Sequence, residues 1–201
     1  MEEFKFFVNT FLQMFALLSP FGVAVFFASN TSSFDLAAKR QTAKIAIITI
    51  TLATIMVFLF GNLCLKLFGI TLDAFRIGTG TVLMLNSISI VRGTKFYEVN
   101  VSSPADFAIV PFAIPFVVGP GIIGYLIVLS VDTVGVNRTS IVLLSLLIAI
   151  AIMAILIWNC DKVSGFIGKR KMAVIDRLYG LILCCMAAQI IFVGIRNFLV
   201  R

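Results

Sequence analysis

The chain contains no histidine among its 201 residues. That single absence removes the commonest metal ligand and the usual general base of catalysis. Charge is scarce as well: 12% of residues are Asp, Glu, Lys or Arg, and 61% are apolar. A soluble domain carries about 25% charged residues, so a water-soluble globule is excluded. The middles of the apolar runs hold no charged residue, and Asp73, Asp106, Asp132, Asp161 and Asp176 all fall near run ends. An embedded carboxylate is the usual proton relay, so its lack argues against classical proton coupling. Cysteine is limited to Cys64, Cys160, Cys184 and Cys185, with no CxxC spacing. These read as small apolar packing residues. Long polar linkers are missing too. The opening Met1-Glu2-Glu3-Phe4-Lys5 lacks a basic n-region, so the first apolar run is expected to stay as a membrane span.

What the chain does have is six apolar runs, at roughly 4–28, 43–65, 77–91, 107–131, 139–159 and 178–200. Most are long enough to cross a hydrocarbon core of about 30 Å as helices. The third is the shortest and can extend back to Leu72. The runs are continuous, without the alternation of an outer-membrane barrel. The expected fold is an all-α integral membrane protein with six transmembrane helices. A net charge of +7 would suggest nucleic acid in a soluble protein. Here it points to loops held against anionic lipid. The expected partners are therefore the bilayer and a small solute. Ten of the 16 Lys and Arg residues fall in loops 1, 3 and 5, which puts those loops in the cytoplasm and both termini outside.

The five prolines lie in two stretches: Pro20 in run 1, and Pro104, Pro111, Pro115 and Pro120 before and within run 4. Cutting the chain in the polar interval between runs 3 and 4 gives units 1–96 and 97–201, each with three spans. Pro20 aligns with Pro120, Lys39-Arg40 with Asn137-Arg138, Arg76 with Arg177 and Gly93 with Gly194, at offsets of about 100 residues. An odd number of spans per unit turns the second unit upside down, so the two repeats are expected to be inverted.

Proline inside a helix removes one donor and frees a carbonyl. In lipid such a group must face protein, water or ligand. Ser19-Pro20-Phe21-Gly22 and Gly119-Pro120-Gly121 therefore predict that spans 1 and 4 are discontinuous near the bilayer midplane. Glycine there also lets another molecule approach the backbone. The helix starts beyond each break suit a carboxylate, and the carbonyl ends before it suit an ammonium group or a cation. A small zwitterion fits both, which makes Ser19, Pro20, Phe21, Gly22, Gly119, Pro120 and Gly121 the candidate binding residues. Asn86 and Gln189 occupy corresponding spans and face either the site or the interface between repeats, or serve as structural glue. Arg76 and Arg177 read as interfacial anchors that pair locally. Tyr125 reads as an interface aromatic, and the many phenylalanines as lipid-facing packing.

With these motifs assembled, the chain resembles the MarC-type family of integral membrane proteins nearly end to end. The resemblance is carried by Leu18-Ser19-Pro20-Phe21-Gly22, Phe75-Arg76-Ile77-Gly78-Thr79-Gly80, Pro115-Phe116-Val117-Val118-Gly119-Pro120-Gly121, and Arg177-Leu178-Tyr179-Gly180 with Gln189 and Gly194. The span 4 motif is the most specific. The family usually reads Asn-Pro-x-Gly in span 1, where this chain has Ser19, and adjacent glycines where it has Thr79-Gly80. The resemblance implies six spans, an inverted repeat and, for some members, transport of small neutral amino acids such as glycine, alanine or serine.

The functional expectation is an inner-membrane secondary transporter for such zwitterions, without enzymatic activity. The alternative is a non-transporting membrane scaffold or regulatory component. No cofactor is required by these residues. Coupling to a sodium ion held by carbonyls and hydroxyls, coupling to a proton, and no coupling at all stay open as alternatives.

Overall fold

A computed structural model describes residues 1–93, 103–133 and 135–199, with backbone alone for 166–173, 175 and 176. The expected boundary between units at residues 96 and 97 lies outside the described residues. The described chain is helical throughout: α1 (Glu2–Leu18), α2 (Pro20–Asn30), α3 (Leu36–Leu67), α4 (Leu72–Arg92), α5 (Pro104–Phe107), an irregular helical segment Ala108–Val117, α6 (Pro120–Asp132), α7 (Val136–Trp158) and α8 (Cys160–Leu199). Glu2–Asn30, Leu36–Leu67, Leu72–Arg92, Val136–Trp158 and Arg177–Leu199 are each long and apolar enough to cross a membrane. Pro104–Val117 and Pro120–Asp132, bent by 63° at their junction, make a sixth if counted as one span.

Local chemistry sets the ends. The Asp35 carboxylate accepts from the Ala38 amide at 2.9 Å, and the Thr71 hydroxyl from the Ala74 amide at 3.2 Å, which caps α3 and α4. Gly93 closes α4 in the left-handed conformation, at φ 74°, where glycine has no Cβ penalty. Pro20, Pro104 and Pro120 each occupy the first helical position of their helix. Proline is tolerated there because its missing N–H would lack a partner in any case.

Lipid exposure is written on α3. Ile48, Leu52, Met56, Leu59 and Leu63 form an exposed stripe, while Ala46, Ile50, Thr54 and Phe58 are buried on the other side. A helix that is apolar on both faces belongs in hydrocarbon. Hydroxyls inside the spans bond their own helix. Thr51, Thr54, Ser87 and Ser145 donate to the carbonyls of Ile47, Ile50, Leu83 and Ile141 at 2.6–2.8 Å, as polar groups in lipid must.

The helices interlock across the two halves of the chain. α1 and α2 pack on α7, whereas Ala108–Val117 and α6 pack on α3; α2 meets α8, whereas α6 meets α4. The most extensive pair is α4 with α8, and glycines let it close. A Cβ on Gly80 would stand 3.1 Å from the Ala187 carbonyl and 2.6 Å from Ile191, and one on Gly180 would stand 3.2 Å from the Ser87 carbonyl and 2.8 Å from Val91. Between these contacts the Cys184 thiol donates to the Met84 thioether at 3.0 Å.

The phenylalanines depart in part from expectation. Phe27, Phe107 and Phe112 are fully buried, with ring centroids 5.1 Å apart for Phe27–Phe112 and 5.5 Å for Phe107–Phe112. Phe26 stacks on Phe116 at 4.0 Å. Phe27, Phe107 and Phe112 therefore face the core and not the lipid, packed around the irregular Ala108–Val117 segment.

Candidate functional site

At each proline motif one helical element ends and the next begins. α1 ends at Leu18 and α2 begins at Pro20, with Ser19 between them at φ 45°, ψ 59°. A side chain in this left-handed region costs about 1–2 kcal/mol. Its N–H turns back onto the Ala16 carbonyl at 3.2 Å. In the second motif Val118 and Gly119 leave helical geometry, and α6 starts at Pro120. Neither α2 nor α6 has a side-chain cap at its start. The stretch before the second break is less regular than a half-helix. Val110 and Ile114 are extended, at φ −128° and −131°, because each precedes a proline whose ring disfavours the helical region.

The surroundings of these residues are largely apolar. Pro20 is buried, Phe21 and Pro120 are exposed, and Ser19, Gly22, Gly119 and Gly121 are half-buried. A Cβ on Gly121 would lie 2.7 Å from Leu83 and 3.7 Å from Leu17, so the start of α6 rests on leucines of α4 and α1. Gly119 folds tightly over the Pro115 carbonyl, 2.8 Å from a Cβ placed there.

A cleft of about 160 Å³ with several polar groups in its wall lies beside this packing. Its polar lining is Gln13 of α1, Arg76 of α4, Tyr125 and Asp132 of α6, and Gln189 of α8, with Val128, Met186, Ile190 and Val193 forming the apolar wall. Of the nine candidate site residues named from sequence, only Gln189 lines it. Asn86 sits half-buried elsewhere on α4. Neither amide has a hydrogen-bond partner among the described residues, although each belongs to a helix that crosses the membrane by length and composition.

Arg76 organises the cleft. It is 8% exposed. One guanidinium nitrogen donates to Asp73 at 3.1 Å, and the other to both carboxylate oxygens of Asp132 at 2.7 and 2.6 Å. The Asp73 contact is the local pairing the sequence suggests. The Asp132 contact, 56 residues away in sequence, ties α4 to the last residue of α6. Asp73 is packed in, with a side chain 9% exposed, whereas that of Asp132 is 47% exposed. Asn197 of α8 approaches Asp73 at 3.5 Å. Deeper in, the Tyr125 hydroxyl donates to the Gln13 amide oxygen. Tyr125 is therefore a buried residue joining α6 to α1, not an interface aromatic. Gln13, Tyr125 and Asp132 were visible in the sequence only as polar residues in an apolar chain; their convergence carries no local signal. Among the described residues no group of three His, Cys, Asp or Glu side chains could hold a metal ion.

Comparison with known proteins adds the family. Residues 4–199 match the MarC family of integral membrane proteins. A UPF0056 membrane protein of Methanocaldococcus jannaschii is 32% identical over 97% of this chain and 98% of its own length. UPF0056 membrane proteins of Bacillus subtilis (27% identical, 96% of each chain) and Escherichia coli (26% identical, 97% of this chain and 94% of the relative) are similar to it as well. No solved structure matches. With its several apolar helices and its match from end to end, the chain is a multi-pass integral membrane protein and belongs to the MarC family.

Proposed function

We propose that this chain is a secondary transporter of the inner membrane that moves small neutral amino acids of the glycine, alanine and serine class. The observation that carries the reading is the cleft. A guanidinium, a half-exposed carboxylate, a phenol and two amides converge on one cleft of about 160 Å³ among apolar spans. Ionisable groups held within a membrane protein are costly and mark solute paths.

The reading includes two inverted three-helix repeats, with spans 1 and 4 discontinuous at Ser19-Pro20 and Gly119-Pro120. Reciprocal packing supports it. Gly80 meets Ala187 and Ile191, and Gly180, 100 residues on, meets Ser87 and Val91, each 100 residues earlier than its counterpart. Contacts that exchange in this way are what a two-fold relation produces. Met84 and Cys184, also 100 apart, touch each other, as residues on the axis would. Alternating access then amounts to motion of the broken helices against α3 and α7. Loops 1, 3 and 5 face the cytoplasm in this reading, on the cation bias of the sequence. No catalytic role is included, because the chain has no histidine and its serines have no evident activating base.

One observation favours the alternative of a non-transporting scaffold or regulatory component. Leu83 and Leu17 fill the space beside Gly121, so the second break meets side chains there. Uptake of labelled glycine, alanine and serine into proteoliposomes decides between the two. Saturable uptake of at least one is expected; none from a folded, inserted protein would remove the transport reading.

A further inference from the structure

We propose that the Arg76–Asp132 ion pair is the subsite for the charged groups of the solute, and that a zwitterion binds by inserting between the two side chains. This rests on the transport reading above and adds the recognition chemistry to it.

The geometry separates a fixed partner from an exchangeable one. Arg76 is held from one side by Asp73, which is buried, is near Asn197 and belongs to the same helix one turn away. Its other nitrogen spends both contacts on Asp132, which is half-exposed at the end of α6 and faces the cleft. A solute carboxylate presents the same two oxygens as Asp132 and can take its place on that nitrogen. Asp132, displaced, then offers its own carboxylate to the solute ammonium. The array of Arg76, solute and Asp132 keeps the charge of the original pair, so the buried Arg76 guanidinium is not left unpaired. A pure anion would leave Asp132 without a partner, and a pure cation would leave Arg76 half-satisfied. Both are disfavoured by the same rule. The selection for net-neutral solutes therefore follows from the pair itself. The cleft is roomy enough for a few water molecules or a solute of few non-hydrogen atoms, with Gln13, Tyr125 and Gln189 left to meet a short side chain.

Because the pair also ties α4 to α6, its opening by solute releases the far end of the helix that begins at Pro120. Solute binding and helix movement are thus linked through one contact.

The test compares Asp132→Asn with the unaltered protein, using glycine, glycolate (carboxylate only) and glycinamide (ammonium only) as probes in thermal-shift titrations, alongside glycine uptake. The unaltered protein should bind glycine and neither analogue. Asp132→Asn should bind glycine about tenfold or more weakly, as loss of a charged hydrogen bond predicts, and should now bind glycolate. A merely structural bridge would weaken stability without changing the ranking of the three probes. Unchanged glycine affinity with no gain for glycolate overturns the assignment. If Asp132→Asn does not fold, Asp132→Glu keeps the charge but narrows the gap. Serine uptake should then fall about tenfold relative to glycine, and an unchanged ratio overturns the assignment. Absence of glycine, alanine and serine uptake by the unaltered protein would instead remove the transport reading, and this subsite with it.

Discussion

The sulfur atoms of Met84 and Cys184 lie 3.0 Å apart, although the residues are 100 positions apart in the chain. Around them α4 and α8 run in opposite directions, because residues near 73–77 meet Gly194 while Ile90 and Val91 meet Gly180. The pair lies within the most extensive helix contact among the described residues.

That proximity makes a direct prediction. With Cys64, Cys160 and Cys185 replaced by alanine, Met84→Cys should form an intramolecular cross-link with Cys184 under mild oxidation or with a short bis-maleimide. Protease mapping should recover linked fragments from both halves. Two separate fragments under every condition would mean that α4 and α8 do not cross here.

Gly80→Ala and Gly180→Ala should destabilise the protein by similar amounts, each about 1–3 kcal/mol, the usual cost of overpacking. The new methyl in each case meets a backbone carbonyl at just over 3 Å and an isoleucine or valine side chain at under 3 Å. Gly78→Ala is the internal control, since a Cβ there meets nothing within 4 Å. It should stabilise by about 0.5–1 kcal/mol through helix propensity alone. Thermal unfolding in detergent reads all three, and equal effects at Gly78 and Gly80 would contradict the packing described.

Ser19→Asn should raise stability by about 1 kcal/mol. Ser19 occupies the left-handed region at φ 45°, and asparagine enters that region more readily than other side chains. Asparagine there would relieve the local strain of a serine at positive φ. Ser19→Val, β-branched and poorly suited to positive φ, should lower stability by more than Ser19→Asn raises it. A melting temperature insensitive to both substitutions would mean that the break is not held in this conformation.

Gly121→Leu should abolish uptake, because even its Cβ would lie 2.7 Å from Leu83. Gly121→Ala should reduce it less, and Leu83→Ala should restore part of what Gly121→Ala loses by vacating the space. A double-mutant cycle on uptake and on melting temperature measures the coupling. Additive effects would show that the α6 start and Leu83 do not compete for the same volume.

The sequence by itself determined the membrane character and the number and approximate limits of the apolar runs. Each of these is a local property. Hydropathy counts residues in a row, and proline acts on its own backbone and on its immediate neighbours, so Ser19 and Gly119 could be named without knowing what surrounds them. The irregular turns at Val110 and Ile114 were legible in principle, since both precede proline, although a regular half-helix is the simpler reading of that run. The tertiary structure alone decided which residues meet. Nothing near Gln13 in the chain announces Tyr125 across 112 positions, and Arg76 has a suitable acid in Asp73 one turn away, which hides its second bond to Asp132. Convergence of this kind depends on how α1, α4, α6 and α8 pack, and that depends on close approaches such as Gly80 on Ala187, which are governed by the shape of both partners together.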